Sequence, residues 1–378
     1  MPIAGTNIQL ESAEGMDKIT SVEKVTTPYF SDGTNLLAGE NMLTSSNLST
    51  SNKTYFQGVS AKGTTSTEEF NVAFGSTNGF GHNVPTNTKS PSEAIYKHFA
   101  SLLQIPTEVT GGFFISRNNS LASVPSSAII ASGKDQEIFI LTARRTNMKD
   151  RLNKGNWTLT LSGSLSAGLL GAPAGAAGTS GLQLTDDSNT TNPTVTPVGD
   201  RYNIVSGALG TVADAATTRT FGFYYPDPGI MILSQQELSA SIPGSHYSIA
   251  QAVTFDTGSL AGFGITGATT TNRNQELRLV NSLRQSGSLN FRDEEDQVSA
   301  QYFCRVRAGQ CNFSNNPTFV SGSLNEIRHT DMKGNPQTFI TSIQLYNNQG
   351  DMVAVGNLST PLKKNFQSEA TVKVKLTY

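Results

Sequence analysis

The chain has 378 residues, a formal net charge of -2 and 15% charged side chains, against about 25% for average soluble domains. Near-neutrality excludes a general attraction to nucleic acid or anionic membrane. The sequence also has no basic start followed by an apolar run, and no apolar stretch long enough to span a bilayer. Length allows two or three cores at roughly 150 residues each. The chain reads as a soluble product of a cytoplasm, with a surface of Ser, Thr, Asn and glycine. Neutral polar groups are cheaper to desolvate than charges, which favours a surface that ends up against other proteins.

Residues 1–54 keep neither helical nor strand period for long and are expected to form an extended arm. In 55–162 the pattern sharpens. EFNVAFG sets Phe70, Val72 and Phe74 on one side of a half-buried strand. KSPSEAIYKHFASLLQIP then predicts an amphipathic helix over 91–105. Ser90 and Glu93 form its capping box, Pro91 its first residue, and Ile95, Phe99, Leu102 and Leu103 its apolar stripe. GGFFISR, EIFILTARR and NWTLTLSG follow as strands, the last with Trp157, Leu159 and Leu161 sharing a face.

Residues 163–275 open with Gly, Ala, Pro and Thr without period, which predicts an inserted loop or boundary. A second β region follows, in which RYNIVSG and FGFYYPDPGIMIL carry apolar runs turned by Pro226, Asp227, Pro228 and Gly229. Residues 276–378 form the most regular part: a strand in QVSAQYFCRVRA, a hairpin turning at Asn347 to Gly350, and TVKVKLTY at the end. In that last stretch Val372, Val374, Leu376 and Tyr378 fall on a dry face and Thr371, Lys373, Lys375 and Thr377 on a wet one. Such a strand needs a sheet to receive it, in this chain or a neighbour. The expectation is closure within its own lobe, against the nearby hairpin. The whole predicts a mainly β, antiparallel fold of sandwich-like lobes, with one accessory amphipathic helix.

The residues offer no chemistry. His82, His98, His246 and His329 have no partners at metal-ligand spacing. FRDEEDQ, holding Asp293 to Asp296, lacks the spacing and central glycine of a calcium loop and reads as a solvated acidic turn; Asp186 and Asp187 are the next carboxylate pair. Nucleophile elbows, phosphate loops and dinucleotide fingerprints are missing, so no enzyme activity and no cofactor are expected. Cys304 and Cys311 read as free thiols, although their spacing could bridge a hairpin. The basic run ARRTNMKDRLNKGNW gathers Arg144, Arg145, Lys149 and Arg151 with one nearby aromatic, Trp157, spaced onto a core face. This favours protein-protein or intramolecular contacts over nucleic acid. Those four cations, with Val372, Val374, Leu376 and Tyr378, are the candidate assembly residues.

GNWTLTLSGS with the basic run before it, the stretch from NFSNNPTFVSG to the closing LTY, and YFQGVSAKGTTSTEEFNVAFGSTNGFGHN followed by SPSEAIYKHFASLL resemble virion structural proteins of contractile-tailed phages. The likeness is to T-even-like myoviruses that infect marine cyanobacteria, and it is weakest over 163–275. It implies a tail or baseplate-wedge subunit, present in the virion and, before assembly, in the host cytoplasm. The implied partners are other tail and baseplate proteins and copies of the chain itself. A receptor-binding adhesin gripping host surface glycan, or a neck or fibre-attachment protein, is the alternative, although shaft repeats and heptads are missing.

Overall fold

A computed structural model describes residues 17–44, 56–62, 67–77, 79, 91–105, 112–115, 135–161, 182–213, 220–235, 237–238, 242, 275–322 and 326–378. The first strands are β1 (Lys18–Pro28), β2 (Leu36–Ala38), β3 (Met42–Thr44), β4 (Phe56–Ala61) and β5 (Glu68–Ser76), followed by α1 (Pro91–Leu103). Next come β6 (Glu137–Ala143), β7 (Arg151–Leu152), β8 (Thr158–Leu161), β9 (Leu182–Asp186), β10 (Thr194–Thr196), β11 (Gly199–Ala208) and β12 (Thr211–Val212). They are followed by β13 (Thr220–Tyr225), β14 (Ile230–Ser234), α2 (Gln275–Ser286), β15 (Ser288–Asn290) and β16 (Arg292–Val306). The chain ends with β17 (Val320–Ser321), β18 (Glu326–Ile327), β19 (Thr338–Tyr346), β20 (Met352–Lys364) and β21 (Ala370–Thr377). The fold is mainly antiparallel β, as the alternation predicts.

Two compact units divide the chain, Val25–Glu295 and a second made of Met1–Lys24 with Asp296–Tyr378. The predicted divisions at 54, 162 and 275 do not coincide with these limits. Residues 18–44, expected within an irregular arm, form β1, β2 and β3.

The larger unit is built on one sheet rather than a sandwich. Its order is β2-β15-β8-β9-β11-β13-β14-β6-β5-β4-β3, with β10 and β12 paired to β11. The end strands β2 and β3 are joined by the single 3-10 turn Gly39–Asn41, so the sheet curls nearly closed. Strand sequence explains which parts are covered on both sides. IFIL in β6, FGFYY in β13 and IMIL in β14 are apolar without alternation, the pattern of a strand buried on both faces. Phe139, Leu141, Tyr224, Met231 and Leu233 enter the main core with Trp157 and Phe291, while Ile138, Ile140, Phe223, Tyr225, Ile230 and Ile232 face a second cluster under α1. Phe70, Val72, Phe74, Leu159 and Leu161 sit in the main core as their period requires.

Three local expectations change. The predicted Leu102 stripe of α1 is rotated: Tyr96, Ala100 and Leu103 are buried, Ile95 and Phe99 partly so, and Leu102 is exposed. The Tyr96 hydroxyl fixes this orientation by donating to the Asp135 carbonyl at 2.6 Å and accepting from Phe113 N at 2.9 Å. Ser90 of the capping box lies outside the described residues. A second helix, α2, was not expected. Its Leu279, Val280 and Leu283 fill the main core, and it crosses the closing turn so tightly that a Cβ on Gly39 would stand 2.3 Å from the Leu283 carbonyl oxygen. Finally, part of the predicted loop is strand: β9 buries Leu182 and Leu184 between β8 and β11.

Candidate assembly interface

The basic and acidic runs meet each other. β7 pairs with β16 through Arg151↔Glu294 and Leu152↔Asp293. Because successive strand side chains point oppositely, Asp293 and Glu295 serve one side and Glu294 the other. Asp293 accepts from Lys149 N at 3.0 Å, Lys149 pairs with Glu295, and Glu294 accepts from Arg151 Nε at 2.9 Å and Asn153 Nδ2 at 2.6 Å. Burial raises the Asp293 carboxyl above its ordinary range. The acidic run is thus not the solvated turn expected, since Asp293 and Glu294 are buried within a strand. Arg144 donates to the Glu68 carbonyl at 3.1 Å and Arg145 to the Asp150 carbonyl at 2.8 Å. All four cations chosen as assembly residues therefore have partners within the subunit.

The other carboxylate pair is structural too. Asp186 accepts from Gly155 N at 2.9 Å on both oxygens, and Asp187 accepts from Asn203 N and Nδ2 at 2.9 and 2.8 Å. Gly155 has φ +67°, and a Cβ there would stand 2.5 Å from Asn189 Oδ1, so glycine suits that clamp on both counts. Among the described residues, no group of three or more His, Cys, Asp or Glu could hold a metal ion. Cys304 and Cys311 are free thiols, and no described helix is long and apolar enough to cross a membrane.

The other four candidates lie in the smaller unit. β21 pairs antiparallel with β16 from Ser299↔Thr377 to Val306↔Ala370, and Tyr378 and Val298 exchange N–H···O bonds at 3.0 Å to the last residue. Closure is within the chain, as expected, but the partner is β16 and not the hairpin. The face expected to be dry is only half covered. Val372, Val374 and Leu376 stand opposite Cys304, Tyr302 and Ala300 at intermediate exposure, and Tyr378 is 70% exposed.

The hairpin is a separate two-stranded ribbon of β19 and β20. Its turn forms as predicted: Asn347 Oδ1 accepts from Gln349 N and Asp351 N at 3.0 and 2.8 Å, and Gly350 takes φ +88°. At its far end, the buried Lys364 ammonium donates to the Ala308 carbonyl, Asn312 Oδ1 and the Asn365 carbonyl at 2.8 to 2.9 Å. Between these two ends the ribbon exposes Phe339, Tyr346, Met352, Val353, Val355 and Leu362.

Neither hydrophobic cluster contains a residue of this smaller unit. Yet among the described residues it holds eleven of the seventeen exposed large apolar side chains, in under a third of the chain. An isolated two-stranded ribbon is at best marginal in water, and large exposed apolar area marks a surface meant for contact. The ribbon's exposed apolar surface is legible in the sequence as apolar residues on a hairpin with almost no charge, although the expected assembly residues lie elsewhere. No protein-family model, curated protein or solved structure matches the chain.

Proposed function

We propose that the chain is a structural subunit of a contractile-tailed phage particle, most specifically a tail baseplate wedge component, that works through protein-protein interfaces and not by a reaction. One observation carries the reading. Among the described residues the smaller unit buries only a few apolar side chains, such as Val306, Phe319 and Val320, and turns eleven large ones outward, so burial against neighbours supplies most of what its interior does not. The resemblance of both ends of the sequence to virion proteins supports the particle, and the satisfied carboxylates support a non-catalytic role. The partners are other tail and baseplate proteins together with copies of the chain. Mass spectrometry of purified particles tests the proposal: the chain is expected in intact virions in stoichiometric amounts. Its absence would overturn the proposal, as would binding of the free protein to host cells that envelope polysaccharide blocks.

A further inference from the structure

Resting on the assembly reading, the open edge of the ribbon limits what can meet it. A strand edge with unpaired N–H and C=O groups is a template for another strand, and proteins guard such edges with charge, proline, glycine or bulges. The smaller unit guards the outer edges of its β1-β16-β21 sheet and the other strand of the ribbon. β1 carries Lys18, Glu23 and Lys24, and β21 carries Lys373 and Lys375. β20 has Gly356, Pro361 and two register breaks. β19, TFITSIQLY, has no charge, proline or glycine, and its outer edge is unpaired among the described residues.

The charge pattern selects the occupant. From Thr338 to Leu362 the only charged residue is Asp351, at the turn. A distinct partner is usually chosen by complementary charge, and β19 itself offers none, the ribbon's exposed charges being Asp351 at the turn and Lys363 at the base. Self-association has the opposite requirement, because it brings identical groups together around an axis and any net charge there repels itself. A neutral edge meets that condition. Identical strands pair antiparallel about a two-fold axis, which makes one patch serve both subunits.

We infer that β19 pairs edge to edge with β19 of a second copy of this chain, giving a continuous sheet β20-β19-β19-β20. The pairing satisfies the outer N–H and C=O groups of both β19 strands and joins the exposed apolar faces of the two ribbons, Tyr346 among them, into one wider surface.

Sedimentation velocity on the full chain tests this. The wild type is expected as a dimer with a dissociation constant below about 100 µM. Thr341→Lys and, separately, Gln344→Lys place a charge on exposed positions of β19 and are expected to weaken the dimer at least about tenfold. Thr341→Val should keep it. Unchanged emission from Trp157, the single tryptophan, reports that the larger unit stays folded, and amide protection at Asn347 and Gly350 reports that the ribbon does. A monomer throughout that range, or an oligomer untouched by both lysine variants, would overturn the inference. A monomer still found in virions would leave the structural role standing, whereas a dimer missing from virions would do the reverse.

Discussion

Arg151 Nη2 lies 2.8 Å from Glu294 Oε1, and this contact joins the chain's basic run to its acidic run. Glu294 is almost wholly buried and Arg151 about a quarter exposed, so the pair is partly desolvated. Removing one partner of such a pair leaves the other charge unpaired, which dominates the cost. Glu294→Ala is expected to lower stability by about 2–3 kcal/mol, reduced from the fully buried case by solvent at Arg151. Urea unfolding followed through Trp157 measures it, and a loss within experimental error would show the contact to be incidental.

Glu137 on β6 is buried, and burial holds its carboxyl well above the ordinary value of 4.5, with a hydrogen bond to Ser76 acting weakly the other way. The folded chain therefore binds this proton more tightly than the unfolded chain. Stability from this group is fully present below pH 4.5 and declines as pH rises towards the folded value. Glu137→Gln should raise the unfolding midpoint at pH 8 and leave it nearly unchanged at pH 4. Thermal melts across that range decide, and an equal shift at both ends would contradict the assignment.

At the β11–β12 turn, Leu209 has φ +49° and Gly210 φ +74°, the backbone of a two-residue hairpin that asparagine-glycine fits best. A leucine held in the left-handed region costs about 1 kcal/mol, and Leu209 is half exposed with little packing to offset it. Leu209→Asn is expected to stabilise the larger unit by about 1 kcal/mol in urea titration.

Lys364 holds the base of the ribbon through three neutral oxygens. Lys364→Met keeps the aliphatic bulk but leaves those buried acceptors without a donor, a loss of about 1–3 kcal/mol. Hydrogen exchange should quicken across 306–312 and 338–364, while Trp157 emission stays fixed. Protection unchanged there would remove Lys364 from this role.

Strands whose apolar residues alternate were legible in the sequence. Phe70, Val72 and Phe74 point inward, and the terminal strand pairs to its last residue, because period two follows from pleating alone. What could not be read depends on distant chain. β21's partner β16, and the meeting of Lys149 and Arg151 with Glu295 and Glu294, join segments over 60 residues apart, and nothing local encodes such pairing. α2 was readable: Leu279, Val280 and Leu283 form a helical stripe, obscured by the irregular stretch before it. The buried stripe of α1 lies one position from the one its apolar spacing predicts because Tyr96, amphipathic in sequence, finds both a donor and an acceptor inside.

On the proposed function, other subunits complete the ribbon of β19 and β20. A density reconstruction of the intact particle tests it most directly. Tyr346 and Val355, both exposed on the single chain, should there be packed against a neighbouring subunit; a ribbon standing free in solvent on every copy would contradict the account.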